Sequence, residues 1–145
     1  GVGICICVEL TKEVGVYSTM WKLTIDQSNE SEKKLNPNDG KNSYKCFVVM
    51  RCLHPRAENV IYDVMAFNPD EIILLPLYPQ YSAATSGSSI KEWKDVCLKN
   101  DYKTKTSTIC CYPTENFFIK SHVDEIFKKI NNLKNYIKID RCNKF

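Results

Sequence analysis

Short apolar runs alternate with stretches of helical spacing along this chain, most regularly after residue 43. YKCFVVMR, from Tyr44 to Arg51, is a continuous apolar run of strand length, as expected for a strand buried on both faces. His54-Pro55 opens a predicted helix through about Phe67, with Val60, Ile61, Val64 and Met65 on one side. Asn68-Pro69-Asp70 breaks it, and EIILLPL (Glu71 to Leu77) reads as the next strand. Ser88 or Ser89 is placed to cap a helix to about Asn100, striped by Ile90, Trp93 and Cys97. TSTICC (Thr106 to Cys111) predicts a third strand. A helix follows from about Glu115 to Leu133, with Phe118, Val123, Ile126, Phe127 and Ile130 as its apolar face. YIKI (Tyr136 to Ile139) predicts the start of a fourth strand.

The first 24 residues are less regular. ICICVEL suggests a short strand and then a loop, and Asp26 to Leu35 suits an exposed helix ended by the turn-rich NPNDGKNS. The pattern therefore separates an atypical segment 1–24, a domain 25–139 and a tail 140–145. Alternating strands and helices with short connections imply an α/β fold. Its expected form is an open parallel sheet with flanking helices and right-handed crossovers.

Composition narrows the class. With 145 residues, 43% hydrophobic and 26% charged, the chain suits a globular domain with a real core. No apolar run nears the roughly 20 residues that span a bilayer. The net charge of +3 is scattered and carried mostly by Lys, which argues against a nucleic-acid partner. The eight cysteines form no CxxC and no zinc-site spacing. Several lie in apolar runs (CFVVMRC, STICC), where cysteine is expected as a small buried hydrophobe. GVGICICVEL lacks the basic start of a signal peptide, so a reduced, cytoplasmic protein is expected.

In an open parallel sheet, ligands bind beyond the carboxyl ends of the strands. There the sequence sets LPLYPQYSAATSGSS, from Leu75 to Ser89. Tyr78 and Tyr81 offer amphipathic rings that can stack on a planar ligand. Ser82, Thr85, Ser86, Ser88 and Ser89 offer neutral donors, and Gly87 allows close backbone approach. Arg51, at the end of the neighbouring strand, adds a fixed cation. Together these suit a large planar anion. The blander reading, in which the prolines shape a turn, the serines cap a helix and Arg51 pairs with a surface acid, stands beside it. No phosphate-loop motif, GxSxG or catalytic dyad is present, and His54 and His122 read as helix residues.

LPLYPQYSAATSGSS closely resembles the YPQYS-x-x-T-x-GS signature of ferrochelatases, enzymes that insert ferrous iron into protoporphyrin IX to form protoheme. VVMRCLHPRAENVI resembles the family's M-R-Y-x-x-P segment, and STICCYPTENFFI its S-T-I-x-x-[WY]-P segment, in the same order. The resemblance implies a Rossmann-like chelatase half, a lyase role in heme biosynthesis, and a porphyrin cleft. It puts Arg51, Tyr78, Pro79, Gln80, Tyr81, Ser82 and Thr85 on cleft-lining segments. The partners it implies are protoporphyrin IX or heme and ferrous iron. Peripheral membrane contact and a second polypeptide supplying the missing domain are further candidates.

The departures are specific. Cys52 stands where the family has Tyr after Arg, and the N-L-G-G-P loop has no counterpart. The S-A-H-G-L-P segment with the metal-site His, and the paired Glu, are absent as well. No metal site or catalytic residue is therefore identified. No cofactor is expected: relatives with an iron–sulfur cluster carry a loop cysteine where this chain has Ala83. The expectation is a truncated or degenerate ferrochelatase without insertion activity. A non-catalytic porphyrin- or heme-binding remnant, or one half of a split enzyme, stays open beside it.

Overall fold

The computed structural model describes residues 1–8, 17–36 and 43–142. The chain divides into two compact units, Gly1–Cys111 and Tyr112–Phe145.

The first unit is built on β1 (Val2–Val8), α1 (Tyr17–Leu35), β2 (Tyr44–Met50), α2 (Ala57–Phe67), β3 (Glu71–Pro76), α3 (Ser88–Lys99) and β4 (Lys105–Thr108). All strand pairs are parallel and the spatial order is β2-β1-β3-β4. This is the open α/β sheet that the alternating pattern implied. The chain winds outward from β1 to β2, then returns across β1 to build β3 and β4 on the other side. β1 comes from the segment that the pattern set apart at residues 1–24, yet it lies inside the sheet, paired on both edges.

Side chains alternate across the strands, so each strand serves two cores. Cys5, Phe47, Val49, Ile72 and Leu74 pack with Val60, Ile61 and Val64 of α2 and Trp93 and Val96 of α3. Ile4, Ile6, Val48 and Met50 face the other side, where Trp21 and Ile25 of α1 pack. The expected exposed helix thus begins earlier, at Tyr17, and is not exposed throughout: Thr24 and Ser28 are buried. Its anchoring apolar residues precede Asp26, where the charged pattern begins. Met65, expected on the apolar side of α2, is exposed.

β2 is an edge strand, and an open edge offers unpaired backbone groups. α1 covers them. Asn36 donates from Nδ2 to the Tyr44 carbonyl (2.8 Å) and accepts the Tyr44 N–H at Oδ1 (2.9 Å). Glu32 accepts the Cys46 N–H at 2.8 Å. Burial, with Glu32 adding to it, pushes the Cys46 thiol up to about 11, so it stays protonated at neutral pH.

β4 is shorter and earlier than the TSTICC expectation. Its register is pinned where Glu71 accepts from Ser107 Oγ (2.6 Å) and Lys105 Nζ (2.9 Å). Beyond Thr108 one more bond forms, from the Ile109 N–H to the Leu74 carbonyl (2.9 Å). Pro76 then offers no N–H to extend the ladder. Cys110 and Cys111 follow a strand whose own four residues are exposed, and they are exposed rather than buried, as is Cys52 in the bend after β2, while Cys5 is fully buried.

The second unit is a turn and one long helix, α4 (Asn116–Cys142). Glu115 Oε2 accepts the Phe118 N–H at 3.0 Å and so caps the helix start. The segment expected as a fourth strand, YIKI, lies within α4. No Gly or Pro interrupts residues 116–142, and a four-residue apolar run carries no strand signal against an established helix. Val123, Ile126, Phe127 and Ile130 are exposed, because among the described residues this unit holds no second element to cover them.

Replacing Asn36 with Ala should lower unfolding stability by roughly 1–3 kcal/mol, since the Tyr44 backbone groups lose their partner. Chemical denaturation at neutral pH reads this directly. A second test concerns acid. The bonds from Ser107, and then Lys105, hold the Glu71 carboxyl below its ordinary value. A lowered folded pKa contributes stability that is full above the unfolded value, about 4.3, and fades as pH falls through the folded one. Melting curves of wild type and Glu71→Gln should therefore differ near pH 6 and converge toward pH 3.

Candidate functional site

In the order β2-β1-β3-β4 the winding direction reverses between β1 and β3. A doubly wound sheet opens a crevice at the carboxyl ends of such a strand pair. Residues 77–87 leave β3 directly beside it. Arg51 follows β2, on the far side of β1. Neighbouring strands lie 4.7–4.9 Å apart, so the two chain segments emerge roughly 10 Å from one another. A broad planar anion would span that separation.

The loop has its own architecture. Ser82 caps a single π-turn over Ala83–Gly87, accepting the Ala84 N–H at Oγ (3.3 Å), while its carbonyl accepts from Gly87 N–H (3.0 Å). Such turns are frequent at functional sites because they reposition backbone and side chains without ending the helix. Ser88 is the first residue of α3 rather than its cap. Its hydroxyl donates back to the Ala84 and Thr85 carbonyls, at 2.9 and 3.0 Å. Two of the hydroxyls expected to face a ligand are thus engaged within the turn, although Ser82 keeps its own proton to donate. Ser86 is 1% exposed and its Oγ has no hydrogen-bond partner.

The aromatic residues divide. Tyr78 and Pro79 are half-buried at the root of the loop, whereas Gln80, Ser82 and Tyr81 are exposed and Thr85 is half-buried. Tyr81 folds over the π-turn: a Cβ on Gly87 would stand 2.8 Å from Tyr81 Oη. Glycine at position 87 admits that approach. Ala83 begins the turn and brings no ligand atom.

Arg51 pairs with an acid, as the blander reading of the sequence had it; the acid is Glu92, which also holds Arg56. The Met50 N–H bonds the Pro55 carbonyl (2.8 Å), folding residues 51–55 into a tight bend that brings Arg51 and Arg56 to one place. Glu92 of α3 reaches both. Its Oε2 lies 3.3 Å from Arg51 Nη1, and its Oε1 accepts Arg56 Nε at 2.9 Å and also Arg56 Nη2. The bond to Glu92 raises the Arg56 pKa further. Only the offset of Glu92 from the Ser88 helix start could have signalled this, and an acid early in a helix has an ordinary explanation in the helix dipole.

The histidines stay local. His54 is exposed, its Nδ1 3.3 Å from Asn59 Oδ1, and His122 Nδ1 lies 2.9 Å from the Phe118 carbonyl. Among the described residues, no group of three or more His, Cys, Asp or Glu is placed to hold a metal ion.

The parallel sheet and the helices packed on its two faces define a doubly wound α/β fold. The family model for ferrochelatase matches residues 8–141. A ferrochelatase of Pelagibacter ubique is 60% identical over 131 residues, covering 90% of this chain and 38% of that protein. Ferrochelatases of Rickettsia felis and Hyphomonas neptunium are 48% and 38% identical, covering 81% and 79% of this chain. The chain spans a third or so of the length of these relatives (33% and 30% for the latter two). It belongs to the ferrochelatase family.

A methyl group at Gly87 should displace the Tyr81 ring while leaving α3 intact, because φ −63 and ψ −43 at this position suit alanine. Gly87→Ala is expected to keep its unfolding stability within about 1 kcal/mol and to shift the NMR signals of the Tyr81 ring. Unmoved ring signals would contradict the packing of Tyr81 over the turn.

Proposed function

We propose that this chain supplies the porphyrin-binding part of ferrochelatase chemistry: ferrous iron entering protoporphyrin IX to give protoheme, with two pyrrole protons released. The observation that carries this reading is the pairing, across β1, of a cation after β2 with a tyrosine-bearing loop after β3. A flat macrocycle with peripheral carboxylates matches both, and family membership favours the same ligand.

The roles of the residues follow from their chemistry. Tyr78 and Tyr81 bear on the macrocycle through their rings, and the π-turn fixes where Tyr81 lies. Arg51 attracts a propionate, and Gln80, Ser82 and Thr85 offer neutral hydrogen bonds along the rim. These contacts bind and orient the macrocycle so that its nitrogens meet the metal from one direction. Metal delivery and pyrrole deprotonation belong to a His and an acid in the family. By resemblance, both lie in stretches of the relatives that this chain does not match.

Fluorescence titration with protoporphyrin IX and its dimethyl ester tests the binding role. A charge-assisted bond contributes roughly 1.5–3 kcal/mol, so Arg51→Ala should weaken the diacid by about tenfold or more. The ester, whose carboxylates are masked, should be little affected. Tyr78→Ala should weaken both, because stacking ignores the propionates. Unchanged affinity in both variants would remove this edge of the sheet from the porphyrin site.

A further inference from the structure

The cluster of Arg51, Glu92 and Arg56 is asymmetric, and the asymmetry has a use. Glu92 is only 15% exposed along its side chain, and a carboxylate that far from water needs charged partners. Arg56 provides the closer one: Nε and Nη2 converge on a single oxygen. Arg51 provides the looser one, a single contact at 3.3 Å. Among the described residues, Glu92 thus takes two bonds from Arg56 and one longer contact from Arg51, with Glu58 a further acid acting on Arg56, so Arg51 is the less fully paired of the two guanidiniums. The Arg51 side chain is about a third exposed (32%), and its Nε is a buried donor without a hydrogen-bond partner among the described residues.

We infer that Arg56 is a positioning residue for ligand recognition: by occupying Glu92, it leaves Arg51 free to receive a ligand carboxylate. The inference rests on the porphyrin reading above and adds to it a residue that touches no ligand. Without Arg56, Glu92 closes on Arg51 as a one-to-one ion pair, and an incoming carboxylate must compete with a built-in one. A purely structural role, in which Arg56 and Glu92 staple α2 to α3, predicts lost stability without any change in ligand preference.

The test uses the 145-residue chain, titrated with protoporphyrin IX and with its dimethyl ester at low ionic strength, where charge effects are least screened. The readout is the affinity ratio of diacid to diester on the same sample, which cancels any change in the folded fraction. Arg56→Met should reduce the wild-type ratio by roughly threefold to tenfold, the scale of one exposed-to-half-buried charge pair. Glu92→Gln added to Arg56→Met should restore it, because the competing carboxylate is gone. Arg56→Lys, which keeps the cation, should retain most of the preference. If wild type prefers the diacid and Arg56→Met keeps the same ratio, this inference falls and the porphyrin reading stands. If the double variant stays as low as Arg56→Met, the inference falls as well. If wild type binds neither porphyrin, the porphyrin reading fails and takes this inference with it.

Discussion

β1 is hydrogen-bonded on both sides, Ile4 facing Cys46 of β2 and Ile73 of β3, and the rest of the first unit depends on that double pairing. A parallel strand cannot be reached by a tight turn, so each neighbour requires a crossover, and crossovers are right-handed. Moving from β1 to β2 therefore places α1 on one face, and returning past β1 to β3 places α2 and α3 on the other. The reversal falls between β1 and β3, where a doubly wound sheet characteristically has its crevice. Were β1 absent, β2 and β3 would have no common neighbour, and Arg51 would bear no defined relation to Tyr78.

Polar groups then complete what the apolar cores begin. At the β2 edge, Asn36 and Glu32 satisfy backbone groups that would otherwise face water or another chain. At the β4 edge, Glu71 locks the register with Ser107 and Lys105. At the carboxyl edge, Glu92 holds two arginines near one another that would repel without it. In each case a side chain from one element satisfies groups on another, so a residue of ordinary local character acquires its role only across the sheet.

The loop after β3 uses part of its polar chemistry for its own fold. Its hydroxyls are divided between the π-turn and solvent: Ser88 turns inward, while Ser82 both caps and keeps a donor. The turn is thus held by its own hydroxyls, and Tyr81 lies over it against Gly87.

Periodicity by itself determined most elements of the first unit, because β2, α2, β3 and α3 carry local signals: apolar runs of strand length, helical stripes, and breakers at Asn68-Pro69-Asp70. The resemblance of YPQYS and its neighbouring segments was equally legible, and it identified the family. Tertiary structure decided what depends on partners distant in sequence. ICICVEL is short and could pair anywhere; only two neighbours on opposite edges make it central. YIKI is too brief for its period to distinguish strand from helix, and the helix already running from Asn116 absorbed it. The STICC cysteines are exposed because they follow β4, an outer strand whose own residues are all exposed, and nothing in their local run reveals that position. Arg56 and Glu92, 36 residues apart, carry no joint pattern in the sequence; their meeting follows from a bend after β2 and the docking of α2 beside α3. Local order is written in neighbours along the chain, whereas charge balance at a site is a sum over neighbours in space.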